Sequence, residues 1–378
     1  TETVHEALLA AGLYHLLTPR RYGGLEVSLR TWLRTVIEIA SADPGTGWCY
    51  CLGHAHNLEA AARWPEAVQD DVFRNPAGYF RASHSLFPSG TAVPVEGGYR
   101  VTGRSRYQSG SPFSTHAIVF LTVEGEVDES GAPRTAEALR DASQFTLADD
   151  WAGQVLGMRA SGSNSVVFDD AFVPEERMQP LTWAGDVAPE GTGAAIHGTP
   201  LYVGISQGFL GSELSAIAVG TARAALHEWE RIARTRNSPM PPFGPRYLDP
   251  LHQKLFGEAV VKTDAAEAIV LQIADTAQRW AEGYTLRGEP LTRSMDTRLN
   301  GLNIESGRLA AEAVEMVTRS LGSSEARPGQ PVERYTRDIA MYRTHAAVQY
   351  DLWMQGIGAT VLGVQQSAFD SPTAGSRA

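Results

Sequence analysis

The chain has 378 residues, a formal charge of −11, 43% apolar residues and 20% charged residues, the balance of an ordinary soluble globular protein with two or three layers or domains. A nucleic-acid partner, which needs a basic face, is not expected. No apolar run approaches the ~20 residues of a membrane span, so no membrane is expected either; a charged-then-apolar leader is also lacking, and the start at Thr1 rather than Met reads as trimming.

Residues 1–75 read as helical. Leu8, Leu9, Leu13, Leu16 and Leu17 recur at helical spacing, Thr18-Pro19 and Gly23-Gly24 break the pattern, and Leu29 to Ala40 resumes it. Asp43-Pro44 supplies an N-cap with proline at the first helical position, which predicts a helix to about Arg63. The two cysteines, Cys49 and Cys51, lie in that stretch with His54 and His56. Residues two apart on a helix do not face each other, so neither a disulfide nor a tetrahedral zinc site forms from this set. No metal is expected, and a reducing cytoplasm is the simple location.

From about Gly78 to Arg177 the period changes to two. Tyr99 to Gly103 alternates after the Gly97-Gly98 turn, Ala117 to Val123 is an apolar run of strand length, and turn residues recur about every ten positions, as in a sandwich or barrel. The acidic stretch Glu124 to Asp141 is expected to be an exposed hairpin or loop. Ser165 to Asp169 is a strand bounded by Gly162-Ser163 and Asp169-Asp170, and Val173-Pro174 ends pairing. Gly157 and the Ser161-Gly162-Ser163-Asn164 cluster let the backbone approach a flat ligand closely. Residues 182–206 read as a long loop; Gly191-Thr-Gly193 lacks the third glycine and preceding strand of a dinucleotide site. Helices are expected over about 209–235, 250–283, 292–321 and 335–363. The second carries an apolar stripe of Leu255, Ala259, Ala266, Ile269, Ile273 and Ala277, and such Ala-rich helices pack into bundles.

The stretch Trp151 to Met178, read as L-G-M-R-x-S-x-S-x-x-V-x-F-D-D-x-x-V-P from Leu156 to Pro174, resembles the closing strand of the flavin-binding domain in the acyl-CoA dehydrogenase fold. The order helix–strand–helix matches that architecture over nearly the whole chain. The resemblance implies an α+β protein with an N-terminal helical domain (1–76), a central β-sandwich or barrel domain (77–181) and a C-terminal four-helix bundle domain (182–378). The dehydrogenase branch needs a glutamate in a Y-E-G-T-like segment, which is not found here. Arg337-Asp338 followed by His345 resembles instead the two-component flavin-dependent monooxygenases. So do the Thr46-Gly47-Trp48 helix start, His54, and Ser109-Gly110 after Tyr107.

That branch takes reduced FAD or FMN from a separate NAD(P)H:flavin reductase and forms a flavin C4a-hydroperoxide with O2. The resemblance therefore implies a reduced-flavin-dependent monooxygenase that hydroxylates an aromatic or polycyclic small molecule, assembled as a homotetramer. Such chemistry needs water kept out and the flavin N5–H held. Ser109 is the candidate beside N5, with Trp48, Tyr107, Gly110, Ser161 and Ser163 around the flavin; read alone, Ser109 is equally a turn serine and Trp48 equally core. His345 is the candidate general base toward a substrate hydroxyl, or else a hydrogen-bonded core histidine, with His54 lining the substrate site. Asp338 and Asp351 are expected to anchor Arg337 or Arg343. The segment Arg231 to Arg236 and Gln253 resemble the family's element that reaches a neighbouring subunit's flavin phosphate; Arg234 or Arg236 performs that contact, or both serve as cations at a helix end. Alternatives are N-oxygenation of an amino sugar, dehydrogenation of an acyl thioester, and a helical binding protein that has lost flavin.

Because no dinucleotide fingerprint is present, the chain alone is expected not to reduce flavin with a nicotinamide. Anaerobic mixing of the protein, NADH and FMN or FAD should leave the flavin yellow; rapid bleaching would reject this reading.

Overall fold

The computed structural model describes residues 1–128, 131–180, 192–204, 207–238, 241 and 243–364. Five helices open the chain: α1 (Glu2–Ala10), α2 (Leu29–Ala42), α3 (Pro44–His54), α4 (His56–Arg63) and α5 (Glu66–Phe73). Helix α2 starts where the Ser28 side chain accepts the Thr31 N–H and buries Trp32, Leu33, Val36, Ile37 and Ala40 on one face. Asp43 caps α3 by accepting the Thr46 N–H at 2.7 Å. The helix expected from Pro44 to Arg63 is interrupted at Ala55. The Asn57 side chain takes the His54 carbonyl at 2.7 Å, and Leu58 N–H bonds Ala55 O, three residues back, so the regular i→i−4 ladder is broken there.

Among the described residues, seven strands follow: β1 (Ala82–Val95), β2 (Gly98–Ser105), β3 (His116–Val127), β4 (Pro133–Asp141), β5 (Thr146–Leu147), β6 (Val166–Pro174) and β7 (Met178–Pro180). They form one sheet in the order β5-β6-β2-β1-β3-β4-β7, antiparallel except for β1 beside β3. Two sequence expectations change here. The stretch Glu124 to Asp141 is the expected hairpin, the end of β3 returning as β4, but it is not exposed throughout: β4 is paired on both sides, with Ala136 to Arg140 buried. Its charges misled because Glu137 and Arg140 are buried with partners, Arg63 for the first and the Phe168 ring for the second. Strand β6 also runs past Asp169-Asp170, since Asp170 adopts φ 42° at a register shift opposite Val101 to Gly103, a bulge that lets pairing resume.

The C-terminal part holds α6 (Gly193–His197), within the stretch read as loop, then α7 (Gln207–Thr235), α8 (Pro250–Arg287), α9 (Arg293–Leu321), α10 (Pro331–Arg343) and α11 (Tyr350–Val361). Residues 182–191, with Gly191 of the Gly-Thr-Gly segment, and residues 205–206 of that loop lie outside the described residues. Helix α8 buries Ala259, Ala266, Ile273 and Ala277, the expected stripe. The single helix expected over 335–363 is split. Thr344 closes α10 with its N–H and hydroxyl on Met341 O, and His345 turns extended at φ −66°, ψ 135°. Among the described residues, no helix is long and apolar enough to cross a membrane.

One apolar core joins the N-terminal helices to α7–α10 and takes in Ile118, Leu139 and Met158 from the β-region; a second lies within the sheet around Val101, Val119, Leu121 and Val166. The segment before β6 docks on α10. Asp338 Oδ1 accepts the Met158 N–H at 2.6 Å, Arg337 donates to Leu156 O at 3.0 Å, and a Cβ on Gly157 would lie 2.0 Å from Arg337 O. Asp338 thus anchors a backbone amide, while Arg337 pairs with Glu333 and Arg343 with Glu315. Met158 itself sits at φ 51°, a conformation that holds only under such constraint.

Asp338→Ala leaves the buried Met158 N–H without a partner and is expected to lower the unfolding free energy by roughly 1–3 kcal/mol. Asp338→Asn, which keeps an acceptor oxygen, should recover most of that in denaturant titration. Equal midpoints for the wild type and Asp338→Ala would refute the anchor.

Candidate active site

Four segments converge between the helical layer and the sheet. Helix α3 brings Trp48. The loop after β2 brings Ser109, preceded by Tyr107 at φ 59° and followed by Gly110 at φ 79°. The loop before β6 brings Ser161 and Ser163. The break after α10 brings His345.

These side chains are joined in a line. Trp48 Nε1 donates to Ser109 Oγ at 2.9 Å; Ser109 Oγ and Ser163 Oγ are 2.8 Å apart; Ser163 Oγ and Ser161 Oγ are 2.7 Å apart. All four residues are buried. The backbone supports the line, since Gly110 N–H bonds Ser161 O and Ser111 N–H bonds Gly162 O. Gly110 is required twice over: its positive φ disfavours a side chain, and a Cβ would lie 2.8 Å from Cys49 O and 3.0 Å from Arg81 Nη2. The Tyr107 ring is exposed and meets Trp151 edge-on at 5.9 Å.

His345 meets the Trp48 ring edge-on at 5.6 Å. Its Nδ1 accepts the Ala347 N–H at 3.2 Å and caps the turn Ala346–Val348. Burial pushes its pKa down to about 4, so at neutral pH the ring is uncharged. A neutral imidazole that accepts at Nδ1 carries its proton on Nε2. The residue therefore offers an N–H, and the base role expected from the sequence requires it first to give up the Ala347 cap.

His54 is not at this site. Its ring is fully buried among Trp32, Tyr50 and Tyr14. Nε2 accepts the Leu17 N–H at 3.3 Å, and Nδ1 lies 3.0 Å from Asn57 Nδ2. Burial holds its pKa well below the usual range. The break at Ala55 turns His54 to the helical core and His56 toward the sheet. There His56 bonds Ala82 O at 2.7 Å and His84 at 3.2 Å. Among the described residues, His56, Glu59 and His84 bring possible ligand atoms within 4.8 Å of one another, a set the cysteine-based reading did not foresee. Glu59 is already neutralised there by Arg63, 3.1 Å away.

Arg81 is a buried neighbour of the site that sequence reasoning missed. Its buried guanidinium donates to Cys49 O at 2.6 Å and Tyr14 Oη at 3.1 Å and lies over the Tyr14 ring. It ties α3, next to Trp48, to the start of β1. A lone arginine at the start of a strand pattern carries no sequence signal for this role.

Arg234, Arg236 and Gln253 lie elsewhere, at the end of α7 and the start of α8. Arg234 pairs with Glu230 at 2.7 Å, Arg236 with buried Glu325, and Gln253 donates to Tyr247 O at 3.1 Å. None of these contacts reaches the Trp48–His345 group.

Comparison with known proteins gives this geometry a context. Residues 213–350 match the acyl-CoA dehydrogenase C-terminal domain family. A pigment production hydroxylase from a Rhodococcus species is 29% identical over 97% of this chain and 90% of its own length. The oxygenase component of an FADH2-dependent resorcinol hydroxylase from a Rhizobium species is 28% identical, covering 95% and 87%. Among solved structures, XiaF from a Streptomyces species, in complex with FADH2 and glycerol, superposes with a TM-score of 0.85 at 26% identity, covering 97% of this chain and 89% of that one. Over nearly its whole length the chain is similar to flavin-dependent monooxygenases of the acyl-CoA dehydrogenase fold. Of the candidate residues, Trp48, Ser109, Gly110, Ser161, Ser163 and His345 come together, while His54, Arg234, Arg236 and Gln253 lie apart from them.

Proposed function

We propose that the chain is the oxygenase component of a two-component system, in which a separate NAD(P)H:flavin reductase supplies reduced FAD or FMN and this chain inserts one atom of O2 into an aromatic or polycyclic small molecule. The other oxygen atom leaves as water and the flavin is oxidised. The observation that carries the reading is the buried polar line Trp48–Ser109–Ser163 next to a neutral imidazole. It is a dry site with a few directed polar groups, suited to a flat ligand. The residues fit a flavin ring through the Ser109 hydroxyl at the end of the line, and Gly110 and Gly162, both at positive φ, let the two loops behind it pack against Cys49, Arg81 and Pro112. Reduced flavin, when bound, supplies the two electrons that activate O2.

Trp48 walls the pocket, Ser109 meets the polar edge of the flavin, and Ser161, Ser163, Tyr107 and Gly110 shape the backbone behind it. His345 grips the substrate oxygen through Nε2–H and stabilises it as an anion. Dehydrogenation of an acyl thioester is disfavoured because it needs a carboxylate base, and Asp338, the acid on the adjoining helix, is spent on Met158. Arg234, Arg236 and Gln253 serve the flavin phosphate of a neighbouring subunit in a homotetramer. Support comes from the apolar exposure around them, at Phe243, Tyr247, Leu248 and Leu251, which a subunit contact would cover. The free thiols Cys49 and Cys51 suit a cytoplasmic location.

Two expectations test this. Light scattering at micromolar concentration should give four times the chain mass of 40.8 kDa; a monomer mass would remove the shared flavin site. His345→Ala should lower kcat/KM for a phenolic substrate about 10- to 100-fold, the loss expected of a hydrogen bond to a charged oxygen at roughly 1.5–3 kcal/mol. His345→Gln, which still donates, should recover at least part of it. Because burial lowers the ring's pKa from 6.5 to about 4, the wild type should show no acid limb near pH 6.5 from this residue. Equal losses in both variants with a limb near pH 6.5 would favour the base instead.

A further inference from the structure

We propose that His56, Glu59 and His84 form a binding site for one divalent ion of the zinc class, which joins helix α4 to strand β1. The proposal is independent of the flavin reading of the Trp48–His345 group.

Local structure builds the donor set. His56 and Glu59 are three residues apart on α4, so their side chains share one face. The break at Ala55 turns that face to the sheet, where β1 brings His84. All three side chains are more than nine-tenths buried. One possible ligand atom from each lies within 4.8 Å of the other two.

The tautomer of His56 is set by a group that faces it. Its Nδ1 is 2.7 Å from Ala82 O, and a carbonyl only accepts, so Nδ1 carries the proton. Burial disfavours the charged ring, and Nε2 therefore keeps a lone pair. A backbone carbonyl on the far nitrogen is what orients histidine ligands on metals. The lone pair faces His84 Nδ1, 3.2 Å away, with the two rings edge to face. Glu59 Oε2 lies 3.8 Å from the same His84 Nδ1, too long for a hydrogen bond. These separations suit neighbouring donors on one ion. Bonds of about 2.0–2.2 Å at tetrahedral angles place two donors roughly 3.3–3.6 Å apart.

Two imidazoles and one carboxylate are a donor set that zinc accepts, with a fourth position left open. Binding asks His84 to move its proton from Nδ1 to Nε2, and no electron is transferred. The main opposition is Arg63, which is 3.1 Å from Glu59 Oε1. Arg63 holds that oxygen, and Oε2 is the one on the His84 side. Arg63 is also paired with Glu137 and donates to Pro180 O at 2.8 Å, so it keeps two partners when Glu59 turns to the ion. His84 follows Arg81 closely in sequence, so an ion here braces the start of β1 that Arg81 ties to α3.

The test uses the full-length protein, stripped with a chelator, dialysed and titrated with ZnCl2 in a calorimeter. The wild type should bind one zinc per chain, and its thermal midpoint should rise once free zinc exceeds Kd. Glu59→Gln, which keeps the shape of the side chain and removes its charge, should weaken this binding at least about 10-fold, and so should His84→Ala. His252→Ala, which alters a histidine–aspartate pair at the start of α8, should leave it unchanged. Cobalt(II) in place of zinc should give the strong visible bands of a tetrahedral site. That reading needs no variant, so it decides the matter where a substituted protein fails to fold. A wild type without saturable zinc binding, or with only the weak bands of six-coordinate cobalt, would overturn the proposal. Equal affinity in the wild type, Glu59→Gln and His84→Ala would put the ion elsewhere and overturn it too. The proposed function stands or falls separately, on flavin binding and hydroxylation.

Discussion

The carboxylate of Asp338 holds the site together. It accepts a backbone N–H from Met158, and by that single bond joins the loop before β6 to helix α10. The loop carries Ser161 and Ser163; seven residues after Asp338 in sequence comes His345. A charge-assisted bond of 2.6 Å inside the protein is among the stronger polar contacts available. It is needed because Met158 and Gly162, on either side of the serine approach, both adopt left-handed backbone. Glycine adopts that backbone freely, but Met158 does not, so its half of the turn persists because tertiary contacts hold it. Around this point Arg334 pairs with Asp43, the N-cap of α3, at 2.8 Å. Helices α3 and α10 and the loop are thereby fixed relative to one another, and Trp48 meets both Ser109 and His345.

Much of this was legible in the sequence, and the parts that were not have physical reasons. Period-two alternation found the sheet region, and the Leu156 to Pro174 pattern found the loop that carries Ser161 and Ser163. Asp43-Pro44 marked the start of α3. Where the sequence misled, a side chain competed with the backbone or a charge was buried with a partner. Asn57 takes the carbonyl that would have carried α3 through to Arg63, and that one bond exchanges the surroundings of His54 and His56. Thr344 and His345 interrupt a helical pattern with side-chain bonds that periodicity does not register. Glu137 and Arg140 look like surface residues until Arg63 and Phe168 are seen beside them. The resemblance to the monooxygenases supplied the candidates; it did not say which nitrogen of His345 carries the proton or which way Asp338 points.

The electrostatics of the region favour neutral groups over charged ones. Burial lowers the pKa of His54, His56, His84 and His345 together, so four imidazoles near the helix–sheet junction stay uncharged at neutral pH. The exception is Arg81, whose buried guanidinium is met by a carbonyl, a phenol and a thiol rather than a carboxylate. Its positive charge further lowers the His54 pKa. Glu59 and Glu137 share Arg63; burial and the neighbouring Glu59 push Glu137 up, while Glu59 is drawn down by His84 and Arg63 against its own burial. One cation thus serves two acids, and the pair carries less negative charge than its composition suggests.

The hydrogen bond that restarts the chain after α10 uses Nδ1 of His345, so the neutral ring carries its proton on Nε2. Trp48 spends its N–H on Ser109 Oγ and occupies one of that oxygen's lone pairs. A structural cap fixes the tautomer in one case, and a neighbouring donor constrains the hydroxyl in the other. The polarity of the site therefore follows from how its backbone is terminated and capped, and it would change with the caps even if Ser109 and His345 themselves were kept.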